Sequence, residues 1–301
     1  MEANLAELAK FQISKFFKKT PATQQQCNLE AEKITGMSVH TTSLQGGDSY
    51  TVVSRDETCV VQFRAGYAAL DIAFLGCIEE AYDGFTPRHK FVGKLGELHV
   101  YTMGNIGGAW NKSPKRMPCP SRDSLLSEYL SELTQLRTGL PERFRPTLKY
   151  LISMLPSLLA ANWPLVPNHT DLLENNIHVS KETGHLMGIC DWKDTTIGPF
   201  GMSLGGLETM LGKRTMSRGW CYHPKQQELR DMFWETLYQT MGGVSEEQKT
   251  LIDVARLVGF FLDNGFEWNL DEVKVPASEG NDDLCYLEAV TLTLWAQTDK
   301  R

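Results

Sequence analysis

Two textures of apolar and polar positions divide the chain. Between residues 39 and 103, apolar, aromatic and β-branched residues come in short runs: VHTTSL, SYTVVSR, TCVVQFR, HKFVGKL and ELHVYTM. Glycine or charged turns bound each run, a pattern that predicts strands. One stretch, 68–82, interrupts them with helical spacing. After residue 121 the period changes. RDSLLSEYLSELTQLR places Leu125, Leu126, Tyr129, Leu133 and Leu136 along one face of a helix. Helical patterning recurs over 143–160, 225–242, 245–264 and 282–297, and the N-terminal MEANLAELAKFQISKFFKK reads as an amphipathic helix. Between the two textures lies GNIGGAWNKSPKRMPCPS, whose Gly, Pro and Ser are hinge and loop residues. The expected class is therefore α+β, with a small β-rich N-terminal lobe over 1–104 and a larger, mainly helical C-terminal lobe over 105–301.

Composition narrows the range of activities. The 301 residues can bury a substantial core, and 42% hydrophobic with 22% charged residues is ordinary for a globular chain. A net charge of −7 argues against binding nucleic acid, which requires clustered positive charge. Seven scattered cysteines without C-x-x-C spacing suit a reducing compartment, so a cytoplasmic protein is expected. No apolar run is long enough to span a membrane. The partner this leaves is a small molecule; the oligomeric state is not readable.

The candidate chemistry lies in NHTDLLENNIHVSKETGHLMGICDW, residues 168–192. His169, Asp171 and Asn176 stand in an H-x-D-x-x-x-x-N frame, and Asp191 follows Asp171 by twenty residues. If the backbone forms a tight loop, Asp171 can accept a proton from a hydroxyl nucleophile. Asn176 can then offer its side-chain oxygen to a divalent cation. IHVS and HLMGI read as two strands joined at KETG, a hairpin that carries Asp191 back beside Asn176. Mg²⁺ favours such oxygen ligands, and phosphoryl transfer needs this kind of positioning and charge neutralisation. Alone, the H-x-D frame arises by chance and an Asp–Trp pair is an ordinary strand-end turn. The second acid, at a hairpin's distance, makes the combination a candidate site.

This stretch resembles the catalytic segment of the aminoglycoside phosphotransferase family, which includes choline kinase-like members and has a bilobal protein-kinase-like fold. It is most similar to the fungal branch. PFGMSLGGLE (199–208) and ARLVGFFLDNGFEW (255–268) share that likeness. The resemblance implies ATP and Mg²⁺ as cofactors, Asp171 as catalytic base, His169 as a brace of the catalytic loop, and Asn176 and Asp191 as metal ligands. It also implies a nucleotide site in the strand-rich lobe. There, Gly46, Gly47 and Ser49 in SLQGGDSYTVV would turn backbone amides toward phosphates. Arg64 stands where kinases carry a lysine, and guanidinium can serve that role. Its acidic partner would be Asp71, with Glu79 and Glu80 as alternatives. Backbone groups from Met103 to Asn105 would read the adenine edge, and Trp110 would wall the pocket. The acceptor would lie near Lys193, Asp194 and Glu208, with Trp220, Trp234 or Trp268 lining an apolar pocket. The expected activity is ATP- and Mg²⁺-dependent O-phosphorylation of a hydroxylated metabolite. The alternative is a family member whose site is repurposed or non-catalytic. A protein kinase is disfavoured, because no A-P-E segment follows Asp191.

Overall fold

The structure, a computed structural model, describes residues 2–42, 45–82, 84–104, 119–215, 219–269 and 273–293. They fall into two compact units, one within Met1–Met117 and Ile177–Lys193, the other within Pro118–Asn176 and Asp194–Arg301. The N-terminal region is β-rich and the C-terminal region mainly helical, as the two textures predict.

In the first unit, α1 (Glu2–Lys18) is followed by α2 (Gln24–Thr35). α2 is a helix that apolar periodicity does not reveal. It starts at a capping box, in which the Thr23 hydroxyl accepts the Gln26 amide and the Gln26 side chain accepts the Thr23 amide. It ends at Gly36, whose φ of 73° closes the last turn. Then come β1 (Val39–Thr41), β2 (Ser49–Ser54), β3 (Cys59–Arg64), α3 (Ile72–Ala81), β4 (His89–Leu95) and β5 (Leu98–Gly104). The five strands form one antiparallel sheet in the order β1-β2-β3-β5-β4. Tyr50, Val52, Val61, Phe63, Leu98 and Val100 bury one face of it against Phe16 of α1 and Cys27 and Ala31 of α2. α3 begins at 72 rather than 68 because the Asp71 side chain caps it by accepting the Phe74 amide.

The second unit opens with α4 (Arg122–Gly139) and α5 (Arg145–Leu158), then β6 (Leu165–Asn168). The next hairpin, β7 (Ile177–Val179) and β8 (Leu186–Ile189), belongs to the first unit. The chain returns with β9 (Thr196–Pro199), antiparallel to β6, a 3₁₀ turn over Met202–Gly206, and α6 (Leu207–Met210). A second hairpin, β10 (Gly212–Thr215) and β11 (Gly219–Tyr222), leads to α7 (Gln226–Thr240) and α8 (Glu246–Asn264). β12 (Phe266–Trp268) pairs with β13 (Lys274–Pro276), and α9 (Asp282–Glu288) runs into a π turn over Ala289–Thr293. The α4 stripe packs as its spacing predicts: Leu125, Tyr129, Leu133 and Leu136 join Leu148, Leu151 and Leu155 of α5 and Leu257, Val258 and Phe261 of α8 in one core. PFGMSLGG packs on α8 so tightly that a Cβ at Gly259 would lie 2.3 Å from the Met202 carbonyl oxygen. The two outlying segments of the family-like sequence are thus packed on each other.

Candidate active site

β6 places the loop that follows it. Its last residue, Asn168, is buried and its side chain makes four hydrogen bonds, one of them from Nδ2 to the Val166 carbonyl at 3.1 Å. Its Nδ2 donates to the Pro199 carbonyl at 3.3 Å, and its Oδ1 accepts the Ser203 amide and hydroxyl, each at 3.2 Å. His169 is buried next to it, and its Nδ1 accepts the Asp171 amide at 3.2 Å. The Thr170 hydroxyl donates to the Asp194 carbonyl at 3.1 Å. Asn176 closes the loop: its Nδ2 donates to the Asp171 carbonyl at 2.8 Å and to the Asp171 carboxylate at 3.2 Å. Among the described residues its Oδ1 accepts one bond, at 3.2 Å, from the neighbouring Asn175 amide group. His169, Asp171 and Asn176 therefore form one braced loop, with the Asp171 carboxylate exposed.

That loop walls a cavity of about 670 Å³ within the second unit. Trp220, Phe260 and Tyr286 give it an aromatic side, Lys213 lies on its β10 side, and Asp263 joins it from α8. Asp263 is exposed and opens to the cavity, although neighbouring protein removes part of the water around its carboxyl. That desolvation pushes its carboxyl up to about 7; the Lys274 ammonium opposes the rise, and the Asp171 and Glu132 carboxylates add to it. Sequence reasoning passed over this acid, although it lies in the quoted FFLDNGFEW. Trp234 instead stacks on Tyr238, and Trp268 is 72% exposed. Glu208, expected near the acceptor, is 1% exposed and occupied by Arg230, with contacts of 2.9 and 2.8 Å, and by the Tyr222 hydroxyl at 3.1 Å.

Asp191 follows β8 in the first unit. Its φ of 61° is one of two positive values among the described non-glycine residues. Trp192 pins the turn: its Nε1 donates to the Ile189 carbonyl at 2.8 Å and its ring stacks on Tyr82, centroids 4.8 Å apart. Leu75 and Ile78 of α3 bury it. The Ile189 amide donates to the Phe85 carbonyl at 2.6 Å. The Asp191 carboxylate is exposed. Burial pushes the adjacent Cys190 thiol up to about 11, so it stays protonated at neutral pH.

On the sheet, the Gln45 side chain ties the turn before β2 together by accepting the Thr51 amide and donating to the Thr51 carbonyl. A Cβ on Gly46 would come within 2.5 Å of the Ser49 hydroxyl, whereas Gly47 has open space. Arg64 is buried, its Nε donating to the Ala68 carbonyl at 2.6 Å and its Nη1 to Gln62 at 2.8 Å. Asp71 is the α3 cap, and Glu79 accepts from the His89 amide and faces its Nδ1, at 2.7 and 2.9 Å. Met103 lies on β5 opposite Val60 and His89. Asn105 and Trp110 lie outside the described residues.

Residues 95–215 match the family model described as the phosphotransferase enzyme family, APH. The resemblance seen in 168–192 thus extends over a segment that includes Asp171, Asn176 and Asp191. The match speaks for the family as a whole, not for its fungal branch. Among curated proteins no sequence matches significantly. The chain is similar to a solved structure described as a putative aminoglycoside phosphotransferase from Ralstonia eutropha JMP134. Identity there is 14%, over 91% of this chain and 98% of that one, with a TM-score of 0.44. Aminoglycoside 2'-phosphotransferase-IIIa, solved as a GDP complex, is 13% identical over 80% and 92%, TM-score 0.46. The choline kinase LicA from Streptococcus pneumoniae is 13% identical over 78% and 88%, TM-score 0.42. No described helix is long and apolar enough to cross a membrane.

Proposed function

We propose that this chain, phosphotransferase-like over residues 95–215, is an ATP- and Mg²⁺-dependent small-molecule O-phosphotransferase acting on a hydroxylated metabolite. One observation carries the reading: Asp171 stands on the wall of a cavity large enough for a metabolite, its backbone braced by His169 and its carboxylate held by Asn176. A carboxylate fixed in this way can take the proton of an acceptor hydroxyl as that oxygen attacks phosphorus, the general-base role.

Among the described residues no three His, Cys, Asp or Glu side chains converge on a ready cation site. Mg²⁺ does not require one, since it commonly takes one or two carboxylates and completes its shell with phosphate oxygens and water. Asn176 Oδ1 and the exposed Asp191 carboxylate are hard oxygen donors of the right kind, so these two would hold it. Bound there, Mg²⁺ would neutralise charge on the transferring phosphoryl group. The nucleotide side of the proposal rests on the turn at Gly46, Gly47 and Ser49, on Arg64 and Asp71, and on Met103 and Asn105. Arg64 remains a phosphate contact in this proposal although two of its nitrogens already hold Gln62 and Ala68.

The test is ADP release with ATP, Mg²⁺ and a panel of hydroxylated metabolites. Asp171→Asn is nearly isosteric, so ATP binding and the thermal melt should hold while acceptor-dependent ADP release falls on the order of 10²–10⁴-fold. Conversion of an acceptor without consumption of ATP would overturn the reading and make the same acids candidates for a repurposed site.

A further inference from the structure

One face of α1 packs on the sheet and the other is left open. Phe16 is buried in the sheet core, and Ile13 and Phe17 pack against that core. Leu8, Phe11, Lys15 and Lys18 follow one another at intervals of three or four residues, so they share the side of the helix turned away from it. On that side Leu8 is 47% and Phe11 65% exposed. Lys10, Lys15, Lys18 and Lys19 are all exposed, and none of them makes an ion pair among the described residues. Residues 2–19 hold these four cations against Glu2 and Glu7, in a chain of net charge −7. A cavity of about 680 Å³ opens beside the helix, next to the turn that leads to α2; Lys10, Ser14 and Lys18 line it together with Ile13 and Phe17.

Cations in the last turn favour the helix dipole, which accounts for Lys15 and Lys18. It does not account for Lys10, nor for two large apolar side chains held in water beside the lysines. A second copy paired face to face would set the same four lysines against these, and a soluble anion would leave Leu8 and Phe11 wet. An anionic lipid layer offers phosphates and hydrocarbon within about 10 Å of depth, and so matches both parts of the face. We propose that α1 docks the protein on an anionic lipid surface. Phe11 and Leu8 enter the headgroup layer, the four lysines meet lipid phosphates, and one headgroup occupies the cavity beside Lys10 and Lys18. Docked in this way the helix lies along the surface, so it needs none of the length of a membrane span. The inference concerns the first unit alone and does not depend on the phosphotransferase reading.

Co-sedimentation of the full chain with vesicles tests this, using phosphatidylcholine alone or phosphatidylcholine mixed with phosphatidylserine. Wild type should pellet with the mixed vesicles, stay in solution with the neutral ones, and be released as salt rises. Lys15→Ala and Lys18→Ala should each weaken binding about fivefold. Lys18→Arg, which keeps the charge, should bind as wild type does. Phe11→Ser should weaken binding about tenfold or more, because an inserted ring is lost. All these side chains are exposed, so thermal melts without lipid should match wild type. Lys94→Ala removes an exposed charge from β4 instead and should leave binding unchanged. Equal pelleting on neutral and mixed vesicles, or losses with Lys94→Ala as large as with Lys15→Ala, overturns the proposal. So does binding of soluble polyglutamate in preference to mixed vesicles, which would make the partner an acidic protein. A dimer in sedimentation equilibrium that Phe11→Ser dissolves, with no pelleting on mixed vesicles, would overturn it in favour of a second copy.

Discussion

Asp191 shows how local backbone and proposed chemistry meet in one residue. Its φ of 61° lies in the left-handed region, which costs an L-residue on the order of 1–2 kcal/mol and is tolerated best by Gly, Asn and Asp. The buried Trp192 and the β8 pairing hold it there. Substitutions therefore separate strain from chemistry. Asp191→Gly should unfold at higher denaturant than Asp191→Ala, a difference of about 1 kcal/mol. Both should lose Mg²⁺-dependent ATP binding in calorimetric titration. If wild type binds ATP equally well with and without Mg²⁺, Asp191 has no metal role. The acid itself was legible from its spacing after Asp171; its backbone conformation was not, since the packing of Trp192 and the pairing of β8 impose it. Asp263 was illegible for a related reason. An acid at the end of a helix reads as solvated until the fold lays α8 beside the Asp171 loop.

Elements fix where the Asp171 loop lies. The 202–206 turn touches it directly, for a Cβ on Gly206 would sit 2.5 Å from the Leu172 carbonyl oxygen and 2.8 Å from the Leu172 Cβ. Backbone cannot swing aside as a side-chain tip can. Gly206→Ala should therefore displace the residue next to Asp171, and a shift of about 1 Å there costs on the order of 10²-fold in rate. Melting should remain cooperative and ATP affinity unchanged. Unaltered kcat in this variant would show that the loop is not held by the turn. This contact joins the segment after β9 to the segment after β6, and neither its strands nor their pairing could be read in advance. LVPN and TIGP are four residues each, too short to show a period, and pair across some thirty positions. Four of the five sheet strands were legible because each runs six or seven residues, rich in β-branched and aromatic side chains, between turns; β1, with three, was legible only as the start of the run VHTTSL. α2 left a different trace, a Thr23-x-x-Gln26 box and a terminal glycine without apolar density. Capping chemistry, not periodicity, defines that helix.

Across the whole molecule, the segment Ile177–Lys193 belongs to the first unit, where it packs on α3, although the chain on either side of it belongs to the helical unit. Linear composition carries no mark of such an excursion, because Trp192 and Ile189 read as ordinary apolar residues until α3 supplies their contacts.

Global stability offers a test of the cavity that needs no substrate. Asp263 has a folded carboxyl pushed from 3.8 to about 7, so between those values the folded chain binds a proton that the unfolded chain has released. Stability conferred by that proton is complete below the unfolded value and is lost as pH rises through about 7. Other carboxyls shift the opposite way: hydrogen bonds from Ser54 lower Asp56, and those from Asn281 and from Arg143 lower Glu267 and Glu279. These persist in an Asp263→Asn variant and cancel when variant and wild type are compared at each pH. The variant should therefore gain on wild type as pH rises from 5 to 8. A widening of melting temperature of the order of 1–3 °C is expected, kept small by the opening of the carboxylate to solvent. Parallel melting curves across that range would mean that Asp263 titrates as a freely solvated acid, and the cavity would then lack the crowding that makes its second carboxylate distinctive.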